Sequence, residues 1–168
     1  TVCLLNLAMR IKFITTGGTI DKVYFDARSE YDVGPPQVLE VLRDGNVTCD
    51  YAIESVLAKD SLDLTDADRQ LVRRRVEADP DSRIVVTHGT DTMIETALAL
   101  EGIPGKTIVL TGSMQPARFR NTDAVFNIGV AIGAVQVLPP GVYVAMNGRV
   151  LDPRRIRKNR EAQRFEEV

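Results

Sequence analysis

Short apolar, β-branched runs alternate along the chain with longer segments of helical periodicity. The strand-like runs, each bounded by Gly, Pro, Asp or Asn, lie at residues 11–15, 52–57, 84–87, 107–110 and 142–145. The helical patterns lie between or after them, at residues 36–43, 66–78, 92–101 and 122–138. This alternation predicts an α/β fold of three layers, a mostly parallel sheet with helices on both faces, in which ligands bind beyond the carboxyl ends of the strands.

Capping residues support the predicted helix limits. Thr65 followed by Asp68 is typical of a capping box at a helix start, and Gly102 with Pro104 indicates a stop. Two prolines, Pro139 and Pro140, end the fourth helix. That helix is apolar nearly all round, so we expect it to be covered on most sides.

Size and charge narrow the class of protein. The chain has 168 residues, 44% hydrophobic and 26% charged, which is typical of a folded domain. We interpret residues 9–168 as a single domain and residues 1–8 as a leader or cloning remnant. With a net charge of −2 and no stretch that could span a bilayer, we expect a small-molecule partner, no nucleic acid and no membrane. Cys3 and Cys49 form no disulfide framework or metal motif, which suits a reducing cytoplasm.

The first strand runs into a turn of two glycines flanked by threonines, Thr16-Gly17-Gly18-Thr19. Glycines permit positive φ and the close approach of another backbone or a ligand, which leaves the Thr19 hydroxyl presented at the strand end. A tight turn with threonines as local caps explains the same residues, so this segment alone leaves both interpretations open.

The third strand ends in His88-Gly89-Thr90-Asp91 and passes directly into a helix. Free backbone N–H groups at that helix N-terminus could bind a carboxylate or stabilise an oxyanion. Asp91 could instead be only a helix N-cap. A single histidine on a buried strand end is more often a hydrogen-bonded core residue than a catalytic group.

Two further polar segments follow, LTGSMQPAR at residues 110–118 and VLDPRRIRKN at residues 150–159. A basic run such as the second is usually a solvated face, and Lys158 alone is an ordinary member of it. Without interleaved aromatic residues it is also a poor nucleic-acid surface.

Three motifs together carry a resemblance. TGGTI at residues 16–20, HGTDT at residues 88–92 and LTGSM at residues 110–114 occur in the order and spacing of the bacterial-type L-asparaginase family. The pattern extends through YDVG at residues 31–34, DSLDL at residues 60–64, and VLD at residues 150–152 followed by Lys158. The chain therefore resembles the N-terminal, threonine-bearing domain of that family.

The resemblance implies roles for particular residues. Thr19 matches the family's nucleophile and Tyr31 the tyrosine that assists it, while Thr90, Asp91 and Lys158 match its second threonine, aspartate and lysine. Ser61, Asp60, Gly89, Thr90 and Asp91 match positions that contact the amino-acid end of the substrate. The implied reaction is hydrolysis of the side-chain amide of L-asparagine, with L-glutamine as a possible second substrate and with no metal or organic cofactor.

The sequence also departs from the family. Ordinary members carry a C-terminal domain, and a neighbouring subunit's copy supplies a glutamate near the tyrosine that Tyr31 matches. We interpret the chain as a short branch that forms a homodimer or homotetramer, in which Glu161, Glu166 or Glu167 could take that place. Leu62 and Ala124 stand where relatives often have a polar residue and glycine, which leaves the choice between asparagine and glutamine open.

Two other interpretations stay open at the sequence level. One is an ammonia-donating, glutaminase-like subunit of a tRNA-dependent amidotransferase. The other is an inactive sensor that binds asparagine in the same pocket but does not hydrolyse it.

Overall fold

The computed structural model describes residues 10–25 and 30–168, and for Phe25, Glu30 and Tyr31 the backbone alone. The predicted boundary at Met9 and the thiol of Cys3 lie outside the described residues. None of the helices in the described part of the chain is long and apolar enough to cross a membrane.

A six-stranded sheet forms the middle layer, in the order β4-β1-β5-β6-β7-β8. Its strands are β1 (Ile11–Gly17), β4 (Tyr51–Lys59), β5 (Arg83–Thr87), β6 (Thr107–Thr111), β7 (Gly141–Met146) and β8 (Arg149–Leu151). Neighbours pair in parallel except β8, which pairs antiparallel with β7. The carboxyl ends of β1, β4, β5 and β6 therefore meet at one edge, as the sequence predicts.

Helices cover both faces of this sheet. On one face α2 (Asp66–Ala78) and α3 (Met93–Ala99) bury apolar side chains against Ile84, Val86, Ile108 and Leu110. On the other face α1 (Val38–Asp44) and α4 (Ala124–Val137) pack on Phe13, Val85 and Val109. Side chains along β5 and β6 point alternately to the two faces of the sheet, and helices cover both faces. Nearly every residue of these strands is therefore buried, which explains why they form continuous apolar runs in the sequence.

Two small antiparallel hairpins lie outside the main sheet. One pairs β2 (Lys22–Phe25) with β3 (Glu30–Val33), and the other pairs β9 (Ile156–Asn159) with β10 (Arg164–Glu167). Neither hairpin has a long apolar run, and the sequence patterns do not predict them. The second hairpin is anchored by Phe165, which is buried with Leu151 and Ile156 in the core under α3.

The predicted elements agree with the structure within two or three residues. The capping box at the start of α2 is confirmed, because Thr65 Oγ1 accepts from Asp68 N and the Asp68 carboxylate accepts from Thr65 N. The prediction that α4 is covered on most sides is wrong. Ala124, Ile128, Ala131 and Val135 face the sheet, whereas Val125, Phe126 and Val137 are 51%, 61% and 80% exposed.

Candidate active site

Four of the predicted site residues come together in one cavity of about 200 Å³, whereas Asp60, Ser61 and Gly89 do not line it. It is lined by Thr19 from the turn after β1, Thr90 and Asp91 after β5, Met114 after β6, and Lys158, Arg160 and Gln163 from the β9–β10 hairpin. The parallel arrangement of β1, β5 and β6 is the reason that segments about 70 residues apart in sequence share this edge.

Thr19 is placed by the two glycines before it. Gly17 and Gly18 have φ of 95° and 92°, which residues with a Cβ rarely adopt. A Cβ on Gly18 would also collide with the backbone of Gly89. The turn therefore needs both glycines, and it leaves Thr19 half-buried at the start of a short 3₁₀ helix, Thr19–Asp21.

The second threonine is held in a charged triad. Lys158 Nζ donates to Thr90 Oγ1 at 2.7 Å and to Asp91 Oδ1 at 2.9 Å. Thr90 is 4% exposed and the Lys158 side chain 16% exposed, so water competes little for these bonds. The lysine ammonium can thus stabilise negative charge on the Thr90 oxygen.

Asp91 is not the N-cap of α3, which is Thr92. Its carboxylate oxygen Oδ1 contacts two cations, Lys158 Nζ and, at 3.3 Å, Arg160 Nη2. The N-cap explanation of Asp91 is therefore wrong, and the carboxylate faces the cavity instead.

His88 is a core residue, as its position on a buried strand end indicates. It is fully buried, with Nδ1 2.7 Å from Gly89 O and Nε2 2.7 Å from Thr96 Oγ1. Burial lowers its pKa to about 4, so the ring is neutral near pH 7. Since neither ring nitrogen faces the cavity, His88 supports the loop that carries Thr90 and Asp91.

Ser61 and Gly89 pack against each other next to that loop, and neither is among the described residues that line the cavity. Ser61 is buried, and a Cβ on Gly89 would lie 2.5 Å from Ser61 Oγ, so the hydroxyl packs directly against the glycine backbone. Thr92 Oγ1 donates to Ser61 O at 2.7 Å and ties the two segments together. Glycine at position 89 is thus required for the contact between the ends of β4 and β5.

Asp60, the other predicted substrate contact on this segment, already has partners. Its carboxylate accepts from Leu62 N at 3.2 Å, which caps the 3₁₀ helix Ser61–Asp63, and forms an ion pair with Lys22 Nζ at 2.7 Å. Partial burial raises its pKa, but the bonds from Lys22 and Leu62 outweigh that effect and the net pKa is lowered. Asp60 therefore holds the β4 end to the β2–β3 hairpin.

Tyr31 lies in β3, where its backbone pairs with Tyr24. Its side chain is outside the described part of the structure, and its assisting role stays a prediction. The β2–β3 hairpin, which contains Tyr31, begins directly after Asp21, and Asp21 is two residues beyond Thr19.

Arg160, Gln163 and Met114 line the cavity without having been predicted from the sequence. Arg160 and Gln163 belong to the four-residue turn between β9 and β10, where Gln163 has φ of 50°. The basic run around the matched lysine gives no indication of a hairpin, because the two core residues, Ile156 and Phe165, are separated by mostly polar and charged residues. Met114 Sδ lies 3.7 Å from Thr90 Oγ1.

The three glutamates considered for the place of the neighbouring subunit's glutamate are distributed over this hairpin. Glu166 pairs with Arg164 at 2.8 Å and accepts from Asn159 Nδ2 at 3.1 Å, and Glu167 pairs with Arg149 at 2.8 Å. The bonds to Arg164 and Asn159 lower the pKa of Glu166. Glu161 is exposed in the turn. None of the three lines the described cavity.

Among residues 10–25 and 30–168, no group of three or more His, Cys, Asp or Glu side chains could hold a metal ion. The chemistry of this cavity in the described residues rests on hydroxyl, ammonium, guanidinium and carboxylate groups.

Comparison with known proteins identifies the family of the chain. The model of the N-terminal domain of asparaginases matches residues 10–166, and the chain belongs to that family. It is 31% identical over 159 residues to the L-asparaginase of Thermococcus kodakarensis and 33% identical over 159 residues to L-asparaginase 2 of Escherichia coli. The solved thermostable L-asparaginase of Thermococcus kodakarensis matches 95% of the chain with a TM-score of 0.82 at 28% identity.

The similarity has two limits. The alignments cover 89% and 88% of this chain but 48% and 46% of those two relatives, so the chain spans about half the length of the curated relatives it matches. A further relative, 29% identical over 159 residues, is one of the subunits of the glutamyl-tRNA(Gln) amidotransferase of Methanococcus maripaludis. Its alignment covers 84% of this chain and 36% of that protein.

Proposed function

We propose that the protein is an amidohydrolase that converts free L-asparagine to L-aspartate and ammonia, with Thr19 as nucleophile. One observation carries the proposal. Lys158 Nζ contacts both Thr90 Oγ1 and Asp91 Oδ1 in the cavity that Thr19 also lines. Family membership supports the reaction class.

The residues fit a two-step reaction. Thr19 Oγ1 bonds to the side-chain amide carbon, the C–N bond breaks, and ammonia leaves with the hydroxyl proton that Tyr31 relays. A water molecule then adds to the ester carbon and the ester C–O bond breaks. One water proton goes to Thr19 Oγ1, and the other is taken up by the released ammonia as the carboxylate leaves. Lys158 stabilises charge on Thr90, which orients the water or assists the attack.

The binding roles are assigned by position. Ser61 and Gly89, at the joined ends of β4 and β5, contact the substrate's α-carboxylate through the serine hydroxyl and backbone N–H groups. Asp60 and Asp91 supply negative charge for its ammonium, Asp60 less directly because Lys22 already neutralises it. The reaction so written requires no metal or organic cofactor.

The test is ammonia release from L-asparagine, with L-glutamine alongside because related proteins are named glutaminase-asparaginases. Thr19→Ala should lower kcat by about 10³-fold or more with an unchanged melting temperature, since a half-exposed hydroxyl contributes little packing. Thr48→Ala, an exposed threonine outside the cavity, is the control and should behave as wild type. Equal turnover by wild type and Thr19→Ala would refute the assignment.

A second candidate is an ammonia-donating subunit, which the similarity to the amidotransferase of Methanococcus maripaludis favours. It predicts release from L-glutamine in preference to L-asparagine. Thermal stabilisation by L-asparagine without any release would instead indicate a sensor, because a ligand that binds only the native state raises its stability.

Location and assembly stay predictions. A cytoplasmic protein that forms a homodimer or homotetramer is expected, and light scattering after size-exclusion chromatography measures the assembly.

A further inference from the structure

The β2–β3 hairpin contains Tyr31, but its own side chains do little to fix where it lies. Those that the structure describes, at residues 22–24, 32 and 33, are exposed or half-buried, so none of them anchors the hairpin in the core. One side is held by the Lys22–Asp60 ion pair, whose side chains are 27% and 32% exposed. A partly exposed ion pair contributes little to stability and is screened by salt. The position of the hairpin therefore depends on how its base is attached.

Asp21 attaches that base. It ends the 3₁₀ helix that begins with Thr19, is 2% exposed, and accepts two hydrogen bonds from the segment that follows β3. Its backbone oxygen accepts from Gly34 N at 2.8 Å, and its carboxylate oxygen Oδ1 accepts from Gln37 N at 2.8 Å. One residue thus joins the turn of Thr19 to the chain directly after the strand of Tyr31.

Gln37 connects this attachment to the core and to a third segment. It is 4% exposed and lies directly before α1, whose apolar side chains pack in the core. Its side-chain oxygen Oε1 accepts from Arg118 Nε at 2.8 Å, and the neighbouring Ala117 N donates to Ile20 O at 3.0 Å. The hydrogen bonds therefore close a ring through the turn of Thr19, the start of α1 and the loop after β6. The bond that Gln37 N makes within this ring is buried, so water competes little for it.

We propose that Asp21 is a positioning residue of the reaction, which through Gln37 N fixes the strand of Tyr31 relative to Thr19. The inference rests on the proposed function, in which Tyr31 relays the proton of Thr19. That relay requires the two hydroxyl oxygens to lie within hydrogen-bond distance, and a misplacement of about 1 Å can lower a rate about 10²-fold. Asp21 is not among the described residues that line the cavity, so its effect falls on turnover and not on substrate binding.

The first experiment compares Asp21→Ala with Asp21→Asn in the hydrolysis of L-asparagine. Asp21→Ala removes the accepting oxygen, so kcat should fall about 10- to 100-fold while KM changes by less than about threefold. The Asn side chain keeps an oxygen that can accept from Gln37 N, so Asp21→Asn should keep kcat within about threefold of wild type. If Asp21→Ala does not fold, Asp21→Leu takes its place, because it fills the same buried space without an acceptor.

Asp32→Ala is the matched control. Asp32 lies on the same hairpin and has the same charge, but it is exposed and accepts only from the adjacent Val33 N, at 2.8 Å, among the bonds described for it. It should leave kcat unchanged. Wild-type kcat in Asp21→Ala, or an equal loss in Asp32→Ala or Asp21→Asn, overturns the inference and leaves the proposed function intact.

A double-mutant cycle tests whether the effect acts through Tyr31. In Tyr31→Phe the relaying hydroxyl is absent and the place of the strand no longer matters, so adding Asp21→Ala should lower kcat by less than about twofold. A purely structural loss would instead lower kcat by the same factor in both backgrounds. That outcome overturns the inference.

Hydrogen exchange separates the two proposals when turnover fails. If folded wild type releases no ammonia from L-asparagine or L-glutamine, the proposed function is wrong. Asp21→Ala should still raise the exchange rate of the backbone amides of β3 about tenfold or more, and leave the β9–β10 hairpin as in wild type. Unchanged exchange in β3, or the same rise in both hairpins, overturns the attachment through Asp21.

Discussion

Lys158 joins the two halves of the proposed chemistry, because a single ammonium contacts both Thr90 and Asp91. Lys158→Met keeps the aliphatic stem and removes the charge. We expect kcat to fall by about 10²–10⁴-fold, the usual contribution of a positioned proton-transfer group, with KM changed far less. Ammonia release under saturating substrate measures kcat, and circular dichroism melting checks the fold.

The control for this substitution is Lys59→Met. Lys59 forms an equally short ion pair, 2.9 Å to Asp68, but is 43% exposed and outside the cavity. Wild-type turnover in Lys158→Met would show that the lysine only neutralises Asp91.

At the residue scale the sequence predicts Thr19, Thr90, Asp91 and Lys158 of this cavity, but it does not predict Arg160 and Gln163. Thr19, Thr90 and Asp91 follow directly from strands, and the parallel sheet brings strand ends together whatever the loops do. Arg160 and Gln163 depend on how a charged segment turns back on itself, which no local periodicity encodes.

At the element scale the β9–β10 hairpin determines where Lys158 lies. Phe165, opposite Lys158 in the ladder, is 3% exposed, and its N–H donates to Asn147 Oδ1 at 3.0 Å. We expect Phe165→Ala to lower the free energy of unfolding by about 3–5 kcal/mol. We expect the hairpin of this variant to detach before the sheet unfolds, so activity should be lost at a lower urea concentration than α-helical circular dichroism.

Val168→Ala is the control for this prediction, since Val168 ends the same segment and is 71% exposed. Coincident loss of activity and helicity in Phe165→Ala would show that the hairpin and the sheet unfold together. A deletion of residues 161–168 would remove the buried Phe165 together with Glu161, Glu166 and Glu167, so its effect on activity would not report on the glutamates alone. Glu161→Gln tests the glutamate without the core.

Elements differ in how far their patterns determine them. The strands β1, β5 and β6 are buried on both faces and have apolar runs that predict them. The β9–β10 hairpin buries two residues, Ile156 and Phe165, and the described side chains of the β2–β3 hairpin are not buried, so neither hairpin has such a pattern. In α4 the composition is apolar on all sides, but the sheet and α1 cover only part of its surface. Val125, Phe126 and Val137 stay exposed, which is why its predicted coverage is wrong.

For the whole molecule, two buried titratable groups oppose one another in the pH dependence of stability. Burial lowers the pKa of His88 to about 4, so the unfolded chain binds a proton below about pH 6.5 that the folded protein does not. Burial raises the pKa of Asp21 to about 6, so the folded protein binds a proton there that the unfolded chain does not. Lowering the pH from 6 to 4 thus removes stability through His88 and adds it through Asp21, and the two contributions nearly cancel.

Asp21→Asn separates these contributions. Asn keeps an oxygen that can accept from Gln37 N, the bond that Asp21 Oδ1 makes at 2.8 Å, and removes the buried charge. At pH 7.5 the variant should be more stable than wild type by about 2–3 kcal/mol, because a pKa difference of one unit corresponds to about 1.4 kcal/mol. That gain should shrink as the pH falls from about 6 to about 4 and vanish below that range, where Asp21 is protonated in both states.

Urea unfolding at pH 4.5, 5.5 and 7.5 measures the difference in free energy between wild type and Asp21→Asn. Asp63→Asn, at an exposed carboxylate, is the control, and its free energy of unfolding should stay close to that of wild type. A gain from Asp21→Asn that is the same at all three pH values would show that the carboxyl group titrates alike in the folded and unfolded states, and would contradict the raised pKa of Asp21. The predicted trend would show that Asp21, in the turn that follows Thr19, carries a buried charge at neutral pH. That charge lowers the free energy of unfolding of the protein at a position next to the proposed nucleophile.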